Sequence, residues 1–158
     1  MPNDEMMQGT KVFQTLCSML DHRNWKYEKD EEKLTVKCTA RGDDLPMPLH
    51  IRVDCGRYVL RFFSPIFTVD EKKRQEMALA VAMVNFVLVN GCFALDLRDG
   101  ELTFRLAAPY HDSILSESLL DDLLIIVCMT VDEYNDKLFM LGQNMMTLEA
   151  FKDFVYKK

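Results

Sequence analysis

The segment from Asn85 to Pro109, NFVLVNGCFALDLRDGELTFRLAAP, constrains the fold more than any other part of this chain. It reads as a helix end, a glycine stop at Gly91, a strand, a turn and a second strand. Asp99-Gly100 predicts a two-residue hairpin loop, because such loops need φ > 0 and Gly adopts it freely. A loop of that length sets Arg98 opposite Glu101. It also brings Phe93, Leu95 and Leu97 against Leu106, Phe104 and Leu102 on one face. A long helix running straight into an antiparallel hairpin points to an α+β domain.

The flanking sequence completes that picture. A first helix is predicted over Met6–His22, with Val12, Phe13, Leu16, Met19 and Leu20 on one broad face. Trp25 and Tyr27 alternate with charged residues as a short strand, and Lys29–Lys33 is its turn. Leu34, Val36, Cys38 and Ala40 alternate as a half-buried strand, and Leu49, Ile51 and Val53 as another. Pro46 and Pro48 confine the start of that strand to an edge or an unpaired entry. A tight turn at Cys55-Gly56 would set Val53, Ile51 and Leu49 opposite Tyr58, Leu60 and Phe62, and Pro65 ends the run. A second helix follows Asp70 and reaches Asn90. A third spans Glu117–Gly142 behind Ser116, and a tail helix spans Leu148–Tyr156 behind Thr147. The predicted fold class is therefore α+β: an antiparallel sheet with helices packed against it, in the order α-ββββ-α-ββ-α plus a short C-terminal helix. One domain over residues 1–158 is expected, with 143–158 as the tail.

The second helix carries more apolar surface than a two-layer domain needs. Met77, Val81, Val84 and Leu88 suffice to face the sheet, yet Leu79, Met83 and Phe86 lie on the opposite side. These three are the candidate dimer or partner interface. A second copy of the chain is the simplest occupant, since symmetric homodimers are the commonest closed assembly. Asn85 is the single polar residue of the stretch, so it is expected to be buried and hydrogen-bonded.

Charge narrows the choice of function. The net charge of −6 argues against a general nucleic-acid binder. The predicted strands nonetheless turn basic residues outward, chiefly Arg52, Arg61 and Arg105, partly neutralised by Glu28, Asp54, Asp96 and Glu101, and this face is a candidate contact for an acidic peptide or nucleic acid. A sheet that reads RNA carries stacking aromatics, and only Phe63 qualifies here. The N-terminus has no cationic region followed by an apolar run, so no signal peptide is expected. The longest run that is apolar apart from one Asn, Met77–Val89, falls short of the roughly 20 residues a bilayer requires. The five cysteines never form a CxxC pair, which suits reduced thiols in the cytoplasm.

No catalytic constellation emerges. His50, Asp54 and Cys55 invite a triad reading, but His50 and Asp54 are spaced too far along one strand for nucleophile and base to meet. Asp122, Asp132 and Asp136 share acidic helix positions without an EF-hand pattern or a flanking His. The three histidines lack metal-ligand spacing. No Gly-rich phosphate loop is present. No cofactor, metal or catalytic residue is expected.

The run Asn85-xx-Leu88-xx-Gly91-x-Phe93-x-Leu95-Asp96-xx-Asp99-Gly100-Glu101-xx-Phe104-Arg105 is followed by Leu115-Ser116-Glu117-xx-Leu120 and Asp132-x-Tyr134. It resembles the YbjN-like family of bacterial domains, which shares a fold with the small dimeric chaperones of type III secretion. The resemblance covers about Val12 to Leu141. It implies an antiparallel sheet backed by helices and a regulatory, chaperone-like or protein-interaction role, with no active site to carry over. The expectation is a cytoplasmic, non-enzymatic homodimer that binds a protein or peptide. The alternative is a small-molecule-binding domain or an enzyme with an unrecognised pocket.

Overall fold

The computed structural model describes residues 3–157. Helix α1 (Asp4–His22) is capped by Asn3, whose Oδ1 accepts the Met6 N–H at 3.0 Å, so it starts ahead of the predicted Met6. Trp25 and Tyr27 are not a strand. The Trp25 N–H donates to the Leu20 carbonyl and the Tyr27 hydroxyl to the Asp21 carboxylate, which holds both residues against α1. Pairing begins at β1 (Glu28–Asp30), at the end of the predicted strand, and runs into the predicted turn. It continues through β2 (Thr35–Ala40), β3 (Met47–Asp54) and β4 (Val59–Thr68). Helix α2 (Arg74–Val87), β5 (Cys92–Leu95), β6 (Glu101–Pro109), α3 (Glu117–Gly142) and α4 (Leu148–Tyr156) follow. The six strands form one antiparallel sheet in the order β1-β2-β3-β4-β6-β5.

Both predicted hairpins form, and both are displaced by one full side-chain period. Val53 faces Leu60 and Ile51 faces Phe62. The Cys55-Gly56 turn is longer than expected, because Cys55–Arg57 forms a 3-10 turn and Tyr58 takes φ 51°. The Asp54 carboxylate accepts the Arg57 N–H and holds that turn. Likewise Phe93 faces Phe104 and Leu95 faces Leu102. The second loop opens at Asp96, whose Oδ1 accepts the Arg98 N–H and whose carbonyl accepts the Gly100 N–H at 2.7 Å. Arg98 therefore pairs with Asp96 and not with Glu101, and Leu97 turns out to solvent. Gly100 alone has positive φ (83°), so Asp99-Gly100 is not the two-residue type I′ turn. A shift of two residues leaves every side chain that remains in a strand on its original face, so the predicted core face survives both displacements except at Leu97 and Tyr58, which pass into the loops.

Strand β4 does not stop at Pro65. It runs on to Thr68, pairing with β6 across a bulge between Pro65 and Phe67. Its pairing with β3 is what ends. The register would place Pro48 opposite Pro65, and neither residue has an N–H to donate. Ser64 substitutes in part, its hydroxyl donating to the Pro48 carbonyl at 2.6 Å. Beyond that point the two strands part over an apolar cleft lined by Leu45, Pro46, Pro65, Ile66, Phe67 and, from α3, Phe139.

Asp70 caps a 3-10 turn, Glu71–Lys73, that leads into α2. Helix α2 ends at Val87, short of the predicted Asn90, and Leu88 is already extended. Gly91 is thus not the helix stop. It turns the chain at φ 73°, where a Cβ would collide with the Phe104 ring.

The caps of α3 and α4 are the predicted ones. Ser116 accepts the Leu119 N–H and Thr147 the Ala150 N–H, each at 3.1 Å. Leu120, Leu124, Val127, Val131, Tyr134, Leu138 and Leu141 of α3 are buried, as are Phe151 and Val155 of α4. They meet Val36, Ile51, Leu60, Phe62, Phe104 and Leu106 from one face of the sheet. Each such side chain contributes about 1.5–3 kcal/mol on full burial. The helices share that face, and the other face of the sheet is left open.

Candidate interaction surfaces

The first surface is the outward side of α2. Phe86 is 83% exposed, Leu79 56% and Val89, just beyond the helix, 95%. Met83 departs from the prediction: it is half-buried against the core and does not belong to the exposed group. Helix α4 lies beside α2 and adds Tyr156, whose ring meets the Phe86 ring edge-on with centroids 6.5 Å apart. Tail-helix packing thus enlarges the apolar surface and does not cover it.

Asn85 sits at the margin of this surface, half-buried. Its Nδ2 donates to the Phe93 carbonyl at 2.9 Å and its Oδ1 accepts the Phe93 N–H at 2.8 Å. One side chain thereby satisfies the outward-pointing pair of backbone groups on the edge strand β5, as a neighbouring strand would. Arg74, at the start of α2, does comparable work on the hairpin loop. Its guanidinium donates to the carbonyls of Val69, Arg98 and Asp99. Gly100 fits beneath it, since a Cβ there would strike the Val69 carbonyl.

The second surface is the open face of the sheet. Cross-strand pairing sets Arg52 of β3 directly opposite Arg61 of β4, and Phe63 opposite Arg105 of β6. His50 packs its ring on Phe63 with centroids 5.1 Å apart, and burial lowers its pKa, with the Lys37 charge adding to the effect. Arg61 reaches Asp54 only at 3.9 Å, while Asp54 is engaged by Arg57 at 3.0 Å. Hydrogen bonding by Arg57 holds the Asp54 carboxyl below its ordinary value.

The suspected chemical groupings are dispersed. Asp54 binds arginines, His50 stacks on Phe63, and Cys55 packs against Gly9 of α1 and Tyr110. Asp132 accepts the Asp43 N–H at 2.8 Å and so fixes the β2–β3 loop to α3, while Asp136 pairs with Lys137. Among the described residues no group of three or more His, Cys, Asp or Glu side chains is arranged to hold a metal. No helix there is long and apolar enough to cross a membrane. Burial pushes the Cys38 and Cys128 thiols up to about 11, the opposite of an activated nucleophile.

Sequence reasoning missed the Pro48–Pro65 cleft and the role of Arg74. Each depends on residues far apart in the chain, and the only local signal was the recurrence of proline in two strands.

No family model and no curated protein sequence matches the chain. Solved structures do. A chain of the HopA1–SchA chaperone–effector complex superposes with a TM-score of 0.60 at 16% identity, over 85% of this chain and 99% of that one. YbjN from E. coli gives 0.59 at 13% identity, over 79% and 92%. A chain of the ExsC–ExsE complex gives 0.56 at 13% identity, over 81% and 93%. The chain thus has a YbjN-like, secretion-chaperone-like α+β fold.

Proposed function

We infer that this protein is a non-enzymatic, chaperone-like partner-binding protein that acts as a homodimer in the bacterial cytoplasm. The observation that carries the reading is the apolar strip along α2, where Leu79 and Phe86 stand in solvent beside Tyr156 of α4. Large apolar side chains clustered on a surface mark a protein contact. Two of the structures it resembles are complexes of two proteins, one of them described as chaperone and effector. The scattering of the titratable groups among the described residues supports the non-enzymatic reading. A second copy of the chain covers the strip, and a protein or peptide client binds the resulting pair.

Analytical ultracentrifugation tests the dimer. Wild type sediments as a dimer at tens of micromolar. A Leu79→Lys, Phe86→Lys double variant sediments as a monomer with an unchanged far-UV spectrum, because neither side chain belongs to the core. A monomeric wild type would overturn the homodimer.

A further inference from the structure

We propose that the open face of the sheet is a second docking surface, and that its occupant is an acidic, extended segment of a partner polypeptide lying across β3, β4 and β6. The proposal rests on the partner-binding reading above and gives one of the contacts its chemistry. Three arginines from three consecutive strands, Arg52, Arg61 and Arg105, project from this face, and neighbouring strands stand about 4.8 Å apart. Arg52 and Arg61 are directly opposite one another. Like charges in that arrangement oppose folding, and a sheet face that served only stability would alternate signs. Among the described residues Arg52 and Arg105 have no carboxylate within ion-pair distance, and Arg61 has only the marginal contact to Asp54. The nearby carboxylates are engaged elsewhere or stand at the outer ends of the face: Asp54 binds Arg57, Asp96 binds Arg98 and Asp30 binds Lys33, while Glu28 lies opposite Lys37 of β2 and Glu101 at the hairpin end.

The shape fits a chain segment. Two depressions, of about 510 and 350 Å³, adjoin at Arg61 and Phe63, with Arg52 lining one and Arg105 the other; Glu28, Asp30 and Glu101 lie farther along them. The net charge of −6 makes the molecule as a whole repel polyanions, so attraction is confined to this strip. Carboxylate side chains of an extended peptide meet guanidiniums in bidentate hydrogen bonds while its backbone passes over Phe63. One aromatic pair, Phe63 with His50 packed on it, gives too small a platform for successive nucleobases, which favours a peptide over a single-stranded nucleic acid.

Fluorescence anisotropy with the full chain tests this. The probe is a fluorescein-labelled decapeptide alternating glutamate and serine. Its glutamine counterpart and labelled oligouridylate are the comparisons. Wild type binds the glutamate peptide, ignores the glutamine one, and loses affinity as salt rises. Arg52→Glu with Arg61→Glu weakens binding at least tenfold, and Arg105→Glu alone weakens it by a smaller factor. Should the double variant fail to fold, the single variant and a second readout decide. Cys92 lies opposite Arg105 and is exposed, so bound peptide slows its alkylation in wild type and not in Arg105→Glu. No binding of the glutamate peptide, equal binding by the folded variants, or tighter binding of oligouridylate would each overturn the proposal. The same samples are sedimented. A dimer that ignores the peptide removes the sheet-face proposal alone, and a monomer that binds it removes the dimer alone.

Discussion

At the scale of single residues, the side chains that matter most are those that replace missing backbone partners. Ser64 substitutes for a proline's absent N–H, Asn85 for an absent strand, and Asp54 and Asp96 shape the two loops through their own carboxylates. Asp96 gives this a pH signature. Hydrogen bonds from the Arg98 side chain and then its backbone N–H lower its pKa from 3.8 to about 2. A carboxyl depressed in the folded state adds stability above its unfolded pKa, and loses it as pH falls through the folded value. The loop is therefore expected to loosen as pH drops from about 4 towards 2. Carbon-detected NMR titration of the Asp96 carboxyl checks this: a midpoint near 2 is expected, and an ordinary midpoint near 4 would contradict the Arg98 contact.

At the scale of elements, helices were legible and loop lengths were not. Helices α3 and α4 follow from a 3.6-residue apolar stripe and a cap, both local properties, and their predicted bounds coincide with the observed ones. The hairpins were predicted from turn dipeptides, but their lengths are set by side-chain bonds from Asp54 and Asp96, which a dipeptide does not reveal. The end of α2 was misplaced because Leu88 and Val89 continue an apolar run after the helix has finished. The candidate surfaces were partly legible: the outward arginines followed from period-2 alternation, whereas Met83 packs partly against the core, which helical periodicity alone does not reveal. The hairpin loop supplies the test at this scale. Arg74→Ala leaves three carbonyls without their charged donor and is expected to cost about 2 kcal/mol. That corresponds to a melting point lower by about 5 °C. Gly100→Val costs more, since it combines a forbidden φ with a clash against Val69. Thermal melts beside an exposed control, Lys11→Ala, measure both, and midpoints equal to the control would refute the Arg74 brace.

At the scale of the whole molecule, the sheet has two unlike ends. Strand β1 is three residues long and exposes a little of β2 beside it, while β5 is closed at its middle by Asn85. Asn85→Leu keeps the apolar packing of α2 but frees the Phe93 backbone pair. The expected result is a folded protein, less stable by about 1–3 kcal/mol, whose scattered light rises over hours at concentrations where wild type stays constant. Flat traces for both would show that the edge was not protected by this residue. Counted as a polymer chemist counts, the wild-type sheet has a valence of one for strand addition. Through sheet edges alone, a chain with one reactive end makes pairs and nothing longer, whereas a chain with two makes filaments without limit. A single amide side chain, at 2.8 and 2.9 Å from one edge residue, is the chain stopper.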